Sequence, residues 1–564
     1  MRRALTVKTR LDTLRKDAKR WLKGLRAGDG AARRRLIAAW PQAPAEPALR
    51  DVQHALALEY GRESWIALKA ALEDLALDRK THAERVEQLL RHGWDGDVAA
   101  ARRIRARYPE IAKDSLFTAA VCGDLAEVER RLAADPKGAL ATGGSRAWTA
   151  LAYVTYSRLD PVNAVAIAQR LLAAGADPNF GFDDGWGSPF KVLTGAVWLG
   201  ERARPSHAQA TELVELLIAG GADPFDAQTL YNVSIVGEAL TPPLYWFGLL
   251  WGHCEAQGEA DRWRAADEGS LGHGFGLSTL DYLLGNAVGD NQLARADWLI
   301  DRGADPNTLH GYTKQPVHAL AQLSGFFEMQ RLLERRGAKP VELSGVDAFR
   351  VASLRHDAAG ARALLIAEPE LVRDPRALLA AAGFGDAEAV RLLLELGADA
   401  HASDAEGITP LHRAVQSGSL AAVDHLLTAG ADPNLRERRW RGTALSWAVV
   451  LGRPNLFERL IPLSRDPRAL ASLPALERLQ VLLTAEPALA NHHLADDPNP
   501  TPLYCLPNDE DTAVEVARIL LDHGADPSVR GPSGRTPIDA ARARGLDEAA
   551  ELMAAARPAP GGSG

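Results

Sequence analysis

The sequence has few cysteines and no long apolar run. Three cysteines, Cys122, Cys254 and Cys505, lie far apart among 564 residues. This number and spacing indicate neither a disulfide framework nor a CxxC metal site. No stretch approaches the roughly 18 consecutive apolar residues of a membrane-spanning helix, and residues 1–40 lack the apolar run of a signal peptide. A reducing cytoplasm is therefore the expected location, and no membrane span is expected.

Sequence signatures of catalysis are also missing. We find no Walker A lysine loop, HExxH zinc helix, GxSxG elbow or acidic calcium loop. The 15 histidines are scattered along the chain, so they do not suggest a metal centre. We therefore expect no catalytic residues, no metal site and no cofactor.

Acidic residues are scarce at the start of the chain. Residues 1–40 contain 13 Lys and Arg against 3 Asp and Glu, whereas the remaining residues carry 52 against 70, a formal charge of −18. Such a basic segment suits docking on its own acidic chain, an acidic partner, a membrane surface or nucleic acid. Docking within the chain is the favoured interpretation. A nucleic-acid track along the acidic remainder is disfavoured.

Two short elements recur with one period. Gly-Ala-(Asp/Lys)-(Pro/Ala) begins at Gly175, Gly221, Gly303, Gly337, Gly397, Gly430 and Gly524. Thr-Pro-Leu-His or a variant of it begins at Thr409, Thr501 and Thr536, and looser versions begin at Gln315 and Thr443. Gly303 to Gly337 is 34 residues, Gly397 to Gly430 is 33, and Thr409 to Thr443 is 34. Two independent markers with one period predict a repeat architecture.

The segment from Ser403 to Asn434, SDAEGITPLHRAVQSGSLAAVDHLLTAGADPN, resembles the ankyrin repeat over its whole length. The resemblance implies a β-turn, two antiparallel helices and a return loop in each unit. It therefore implies an all-α ankyrin-repeat solenoid, with roughly twelve units between about residues 81 and 555. In that motif His412 is expected to brace a loop and not to act as a ligand or base.

The residues give physical reasons for these elements. Thr409 can cap a helix, and Pro410 suits the first helical position, where its missing N–H costs nothing. Gly418 is expected to end the first helix. Val423 and Leu426 lie on one face of the second helix, and Gly430 supplies a left-handed residue after it.

The segment EYGRESWIALKAAL, Glu59 to Leu72, is similar to a helical module that precedes ankyrin repeats in a group of bacterial proteins. The similarity implies a bacterial ankyrin-repeat protein with an N-terminal helical cap. Before it, Leu14, Ala18, Trp21, Leu22 and Leu25 form one apolar stripe on a basic helix. The stripe suits either a membrane surface or docking on the next helices, and docking is favoured.

The repeat pattern is interrupted between residues 182 and 298. The pieces LTGA and DAQTLYN in this stretch are similar to the same bacterial group. We expect the chain to divide into a basic helical module (1–77), ankyrin-like repeats (78–225), an irregular aromatic-rich insertion (226–298), ankyrin repeats (299–555) and a flexible tail (556–564).

Two functions fit this organisation. The favoured one is a protein-interaction scaffold that binds an unidentified protein partner through the ankyrin groove and the insertion. Aromatic residues dominate binding energy at interfaces, so the predicted partner contacts are Trp186, Trp198, Tyr231, Tyr245, Trp246 and Trp251. These aromatics could equally form a core of the insertion.

The alternative is an enzyme or small-molecule binder whose pocket the 182–298 stretch forms. Its predicted polar lining is Asp226, Gln228, Asn232, His253 and His273, together with Tyr231. The polar residues of this stretch could equally brace the loop against its neighbours, which is the favoured interpretation of them.

Overall fold

The computed structural model describes residues 3–6, 9–94, 97–159, 162–183, 185, 189–200, 205–235, 244–473, 475–494 and 497–556. The chain divides into two compact units. Unit 1 comprises residues 1–320 and 328–339, and unit 2 comprises residues 321–327 and 340–564. Among the residues described, no helix is long and apolar enough to cross a membrane.

Unit 1 begins with four helices that share a core. They are α1 (Leu11–Arg26), α2 (Gly30–Ala39), α3 (Leu49–Glu59) and α4 (Trp65–Asp78). The stripe residues Leu14, Ala18, Trp21 and Leu22 are all buried in this core together with Val52 and Leu56 of α3. The apolar face of α1 therefore docks on its own module, as the favoured interpretation predicts.

Some of the basic residues of this module are paired within it. The Arg35 guanidinium donates hydrogen bonds to the Glu59 carboxylate at 2.7 and 2.8 Å and contacts Asp17 at 3.2 Å. Arg35 also lies over the Trp21 ring, with its guanidinium carbon 3.7 Å from the ring centroid. Arg3 pairs with the same two carboxylates. These contacts use part of the basic charge to hold α1, α2 and α3 together.

In the described residues between 79 and 301, unit 1 contains six helix pairs in which the first helices of successive pairs pack on one another. The pairs are α5 (His82–His92) with α6 (Val98–Arg107), α7 (Leu116–Cys122) with α8 (Leu125–Ala134), α9 (Ala150–Tyr156) with α10 (Ala164–Ala173), α11 (Val192–Val197) with α12 (Ala210–Ala219), α13 (Ala227–Ser234) with α14 (Tyr245–Ala256), and α15 (Thr279–Gly289) with α16 (Leu293–Asp301).

Short elements connect these helices. Two antiparallel hairpins pair β1 (Thr142–Gly143) with β2 (Trp148–Thr149), and β3 (Gly181–Phe182) with β4 (Phe190–Lys191). The 3-10 turns of unit 1 are Pro109–Lys113, Pro136–Leu140, Gly144–Arg146, Ala260–Trp263 and His273–Phe275. Each hairpin lies in the loop that joins the second helix of one pair to the first helix of the next pair: the first between α8 and α9, the other between α10 and α11.

The stretch 226–298, expected to be irregular, contains the two helix pairs α13–α14 and α15–α16. Ser278 caps α15, because its hydroxyl accepts a hydrogen bond from the Asp281 N–H at 3.1 Å. The long connection between the pairs carries two 3-10 turns. Its length, and not the loss of paired helices, conceals the repeat period. The domain limits proposed from the sequence stay predictions.

The boundary between the units falls within α17 (Val317–Leu323) and α18 (Phe327–Arg335). Unit 2 then continues with helix pairs of the same kind. They are α19 (Gly345–Leu354) with α20 (Ala358–Ala367), α21 (Pro375–Phe384) with α22 (Ala387–Glu395), α23 (Pro410–Ser417) with α24 (Leu420–Thr428), α25 (Ala444–Val450) with α26 (Phe457–Leu460), α27 (Pro467–Ser472) with α28 (Leu476–Ala485), the turn Pro502–Tyr504 with α29 (Glu510–Asp522), and α30 (Pro537–Ala543) with α31 (Asp547–Ala555).

The other 3-10 turns of unit 2 are Pro369–Arg373, Pro454–Leu456, Ile461–Leu463 and Pro487–Asn491. One continuous hydrophobic core extends from Val346 on α19 to Met553 on α31. The first helices stack in one layer, and most of the second helices stack in another. This is an all-α repeat architecture, as the sequence predicts.

The motif at 409–418 has the conformation that its residues predict. The Thr409 hydroxyl caps α23 by accepting from the His412 N–H, and Pro410 is the first residue of the helix. Gly418 ends the helix in the left-handed region, at φ 78°. Leu411 is buried on the core face of α23, and Leu426 is buried on that of α24.

Asparagine side chains tie the loop of one pair to the loop of a later pair. The Asn434 side chain donates to the Leu463 carbonyl at 3.2 Å and accepts from the Arg465 N–H at 2.6 Å. Asn179 and Asn491 make the same two kinds of bond to later loops. At Asn179 and Asn434 the last residue of GADPN is therefore a link between repeats, and its amide satisfies backbone groups that a loop leaves unpaired.

Candidate functional site

Three of the polar residues predicted for a pocket lie together on or at the start of α13. Asp226 precedes this helix, and its Oδ2 lies 2.7 Å from the Thr194 hydroxyl and 2.6 Å from the Thr229 hydroxyl. Burial raises the pKa of Asp226 above its usual range, because the charged carboxylate loses its hydration. Asp226 therefore belongs to a buried polar cluster that joins α13 to α11.

Gln228 and Asn232 form a second buried contact one turn further along α13. The Gln228 amide donates to the Asn232 side-chain oxygen at 2.9 Å. The Asn232 side-chain nitrogen has no hydrogen-bond partner among the residues described. The backbone carbonyl of Asn232 accepts from the Gly200 N–H at 3.1 Å. These contacts fix the loop after α11, where Trp198 and Leu199 adopt positive φ angles of 39° and 53°.

The remaining polar candidates lie on other elements. His253 is half-buried on α14, and His273 is exposed in the turn His273–Phe275. Tyr231 is half-buried on α13. The structure thus brings Asp226, Gln228 and Asn232 together in packed surroundings and places both histidines on different elements.

The predicted aromatic contacts differ widely in exposure. Trp246 and Trp251 are each 4% exposed, and Trp251 packs edge-on against the buried Trp263 at 5.4 Å between ring centroids. Trp198 is half-buried and contacts Trp94 at 5.1 Å between ring centroids. Tyr245 is 41% exposed, and its hydroxyl contacts that of Thr211. Trp186 lies outside the described residues. Of the described aromatics in this prediction, Tyr245 offers the most accessible ring.

A groove of about 530 Å³ lies on unit 2, at the face formed by first helices. Three consecutive first helices, α19, α21 and α23, contribute side chains to it. Its lining residues are Arg350, Arg376, Leu379, Ala380, Gly383, Phe384, Asp404, Arg413, Gln416 and Ser417. Because three consecutive repeats contribute to one groove of this size, it is the candidate binding site of unit 2.

The groove has a cationic wall and an apolar patch. Three of its lining residues are arginines and one is an aspartate. Arg376 pairs with Asp374 at 2.9 Å, and Arg413 pairs with Asp404 at 3.3 Å. Phe384 is 45% exposed, and Gly383 beside it has no side chain. A partner would therefore meet both charged donors and an exposed aromatic ring.

These groove residues are not among the residues predicted from the sequence, which lie in the interrupted stretch. A signal was present in the repeat register. Arg350 stands six residues before the left-handed His356 that follows α19, as His412 stands six residues before the left-handed Gly418. The same position in α21, six residues before the left-handed Gly385, is Leu379, so Arg350 and His412 are the polar residues at this position in the three repeats.

Capped helix pairs, left-handed residues between the helices and asparagine links between loops define the class: the chain contains ankyrin repeats. The ankyrin-repeat family model matches residues 349–437 and 378–471. The first of these segments contains every residue that lines the groove.

Parts of the chain are similar in sequence to known proteins. YahD of Escherichia coli (strain K12), which is named as an ankyrin repeat protein, is 28% identical over 194 residues, covering 32% of this chain and 96% of YahD. The 2-5A-dependent ribonuclease of Mus musculus is 48% identical over 69 residues, covering 12% of this chain and 9% of the ribonuclease. The L-asparaginase of Dirofilaria immitis is 38% identical over 86 residues, covering 15% of this chain and 14% of that protein.

Among solved structures, the complex of the Bdellovibrio bacteriovorus predatory endopeptidase Bd0816 with its immunity protein Bd3460 contains a similar chain. That chain is 24% identical, and the match covers 31% of this chain and 96% of that one with a TM-score of 0.24.

Proposed function

We propose that this protein binds a protein partner, and that the groove of unit 2 is the main contact surface. The observation that supports the proposal most is the groove itself, to which three consecutive first helices contribute within the segment that matches ankyrin repeats. Stacked repeats offer extended surfaces of this kind for recognition. The cytoplasmic location expected from the sequence belongs to the same proposal.

The chemistry of the groove suits a polypeptide. Interface centres are enriched in arginine and aromatic residues, which supply directed hydrogen bonds and apolar area. Arg350, Arg413 and Phe384 provide both within one groove. The exposed Tyr245 of α14 stays a predicted partner contact of unit 1.

The names of two relatives refer to enzymes. We carry neither activity over to this protein, because the matches span only 9% of the ribonuclease and 14% of the asparaginase. Binding through repeats is the function that the described site supports best.

Gly383 provides a test that separates blocking from unfolding. A Cβ atom at Gly383 would lie 3.8 Å from the Arg413 Cδ, which is an ordinary van der Waals contact. Gly383→Ala should therefore keep the groove open and keep or slightly raise stability, since glycine is unfavourable within a helix. Gly383→Trp should fill the groove from the same backbone position.

The experiment is affinity capture from the native cytosol with wild type, Gly383→Ala and Gly383→Trp, followed by mass spectrometry. We expect one protein to be recovered with wild type and with Gly383→Ala and to be lost with Gly383→Trp. Equal recovery with all three variants would contradict binding in the groove.

A further inference from the structure

Arg350 differs from the other two arginines of the groove. Its side chain lines the groove from α19 and is half-buried. Arg376 and Arg413 each contact a carboxylate, whereas within the described residues Arg350 makes no ion pair and its buried Nε has no hydrogen-bond partner. Its guanidinium carbon lies 5.9 Å from the Phe384 ring centroid, and Asp347, three residues earlier on α19, contributes a favourable charge interaction without forming an ion pair in the described structure.

An unpaired, partly buried guanidinium is costly. Arginine keeps its charge in proteins, and burial without a compensating acceptor is unfavourable. Burial accordingly lowers the pKa of Arg350 from its usual value. Buried polar groups are nearly always hydrogen-bonded, and an unpaired donor that faces a groove is available to an acceptor supplied from outside.

The repeat register supports this interpretation. On α23, two helix pairs after α19, His412 occupies the position equivalent to Arg350. His412 is 1% exposed, and its Nε2 lies 3.1 Å from the Gly442 carbonyl oxygen. That histidine is used within the fold to brace a neighbouring loop. Arg350 occupies the same position without such a bond, so its donors are not used by the described structure around it.

The charge balance specifies the sign of the missing group. The groove is lined by three arginines and one aspartate, in a chain whose residues 41–564 carry a formal charge of −18. Because Arg376 and Arg413 pair with Asp374 and Asp404, the positive charge that lacks an ion pair in the described groove is that of Arg350, and it attracts an acidic group.

We propose that the partner places a carboxylate of an acidic segment against Arg350, with a neighbouring apolar side chain on Phe384. The planar guanidinium matches a carboxylate with two parallel hydrogen bonds. The proposal rests on the proposed function, since it names the chemistry of the partner that the groove binds. The acidic segment thereby supplies the acceptor that Arg350 lacks.

A nucleic-acid phosphate is a less suitable occupant of the same groove. Phosphate backbones are bound by several cations along a track. Arg376 and Arg413 already have carboxylate partners, which leaves one unpaired guanidinium for a single acidic group. Binding of a single-stranded oligonucleotide is therefore an outcome that the test must exclude.

The test is selection of a random-peptide phage library on the full-length protein, followed by fluorescence anisotropy with the selected peptides. We expect selected peptides to contain Asp or Glu next to an apolar residue. Arg350→Ala should weaken their binding about thirtyfold or more, as expected for a central charged contact. Arg350→Lys keeps the charge without the planar fork and should weaken binding less.

The matched control is Arg362→Ala, because Arg362 is exposed on α20 of the same helix pair. This variant should bind the peptides as wild type does. Circular dichroism and urea unfolding of each variant separate loss of binding from loss of fold, and Arg350→Lys keeps the test decisive if Arg350→Ala does not fold.

The outcomes distinguish the two proposals. Selected peptides that lack acidic residues, or that bind Arg350→Ala as tightly as wild type, overturn the carboxylate proposal. If Gly383→Trp nevertheless abolishes binding of such peptides, the proposal that the groove binds a protein partner still stands. Peptides that bind Gly383→Trp unchanged overturn the groove function as well. Tighter binding of a mixed-sequence single-stranded oligonucleotide than of any acidic peptide overturns the choice of a protein partner.

Discussion

The imidazole of His412 reaches the backbone of Gly442, thirty residues further along the chain, with Nε2 3.1 Å from the carbonyl oxygen. On its other side, Nδ1 lies 2.8 Å from the Thr409 hydroxyl. Because a carbonyl only accepts, Nε2 carries the proton, and Nδ1 accepts from the Thr409 backbone N–H at 3.3 Å, so the ring is neutral. Burial lowers the pKa of His412 below its usual value.

This contact predicts a pH dependence of stability. A histidine with a lowered folded pKa binds more protons when unfolded, so its stabilising contribution is present above its unfolded pKa of about 6.5. The contribution is lost as the pH falls through the folded pKa, by about 1.4 kcal/mol for each pH unit that separates the folded pKa from the unfolded one. Urea unfolding of wild type and His412→Asn between neutral and mildly acidic pH measures it.

We expect wild type to lose more stability on acidification than His412→Asn, which cannot titrate at this position. Identical pH profiles for the two proteins would mean that His412 is not held neutral by the repeat.

The core faces of α24 predict a contrast between two leucines. Leu426 is 0% exposed, whereas Leu420 on the same helix is 38% exposed. Leu426→Ala should lower the free energy of unfolding by about 2–5 kcal/mol, because it leaves a cavity. Leu420→Ala should change it by less than about 1 kcal/mol. Urea unfolding followed by circular dichroism gives both values, and similar losses would show that the assigned face is incorrect.

The buried Asp226 predicts a pH dependence of the opposite sign. Its folded pKa is raised, so the folded state holds the proton more tightly than the unfolded state does. Stability should therefore fall as the pH rises from the unfolded pKa through the folded one. We expect Asp226→Asn to be at least as stable as wild type at neutral pH, with wild type gaining on the variant as the pH is lowered.

Asp261→Asn is the control for this measurement, because the Asp261 side chain is 94% exposed. It should follow the wild-type pH profile. An Asp226→Asn variant that is much less stable at neutral pH would instead indicate that the ionised carboxylate is required by Thr194 and Thr229.

Local chemistry explains why much of the fold could be predicted from the sequence. The cap at Thr409, the left-handed Gly418 and the buried Leu426 each follow from residues within one repeat. The stripe on α1 was also sufficient to favour docking within the chain, because its apolar face had helices close by in sequence to cover it.

The candidate site was less accessible to sequence reasoning. Trp246 and Trp251 lie in a stretch without repeat markers, and both are buried. Composition alone does not distinguish a core aromatic residue from an exposed one. The groove depends on which side chains of three separate helices face one another. Arg350 shows this most clearly, because only the packed structure reveals that its Nε has no hydrogen-bond partner among the described residues.

Site-specific photocrosslinking tests the central claim most directly. Gln416 lines the groove on α23, and Glu395 is exposed on the second helix α22. With p-benzoylphenylalanine at each position in turn, we expect a discrete crosslinked partner from position 416 and none from 395, with the product lost when Gly383→Trp is added. A product from position 395 alone, or one from 416 that persists with Gly383→Trp, would contradict binding in the groove.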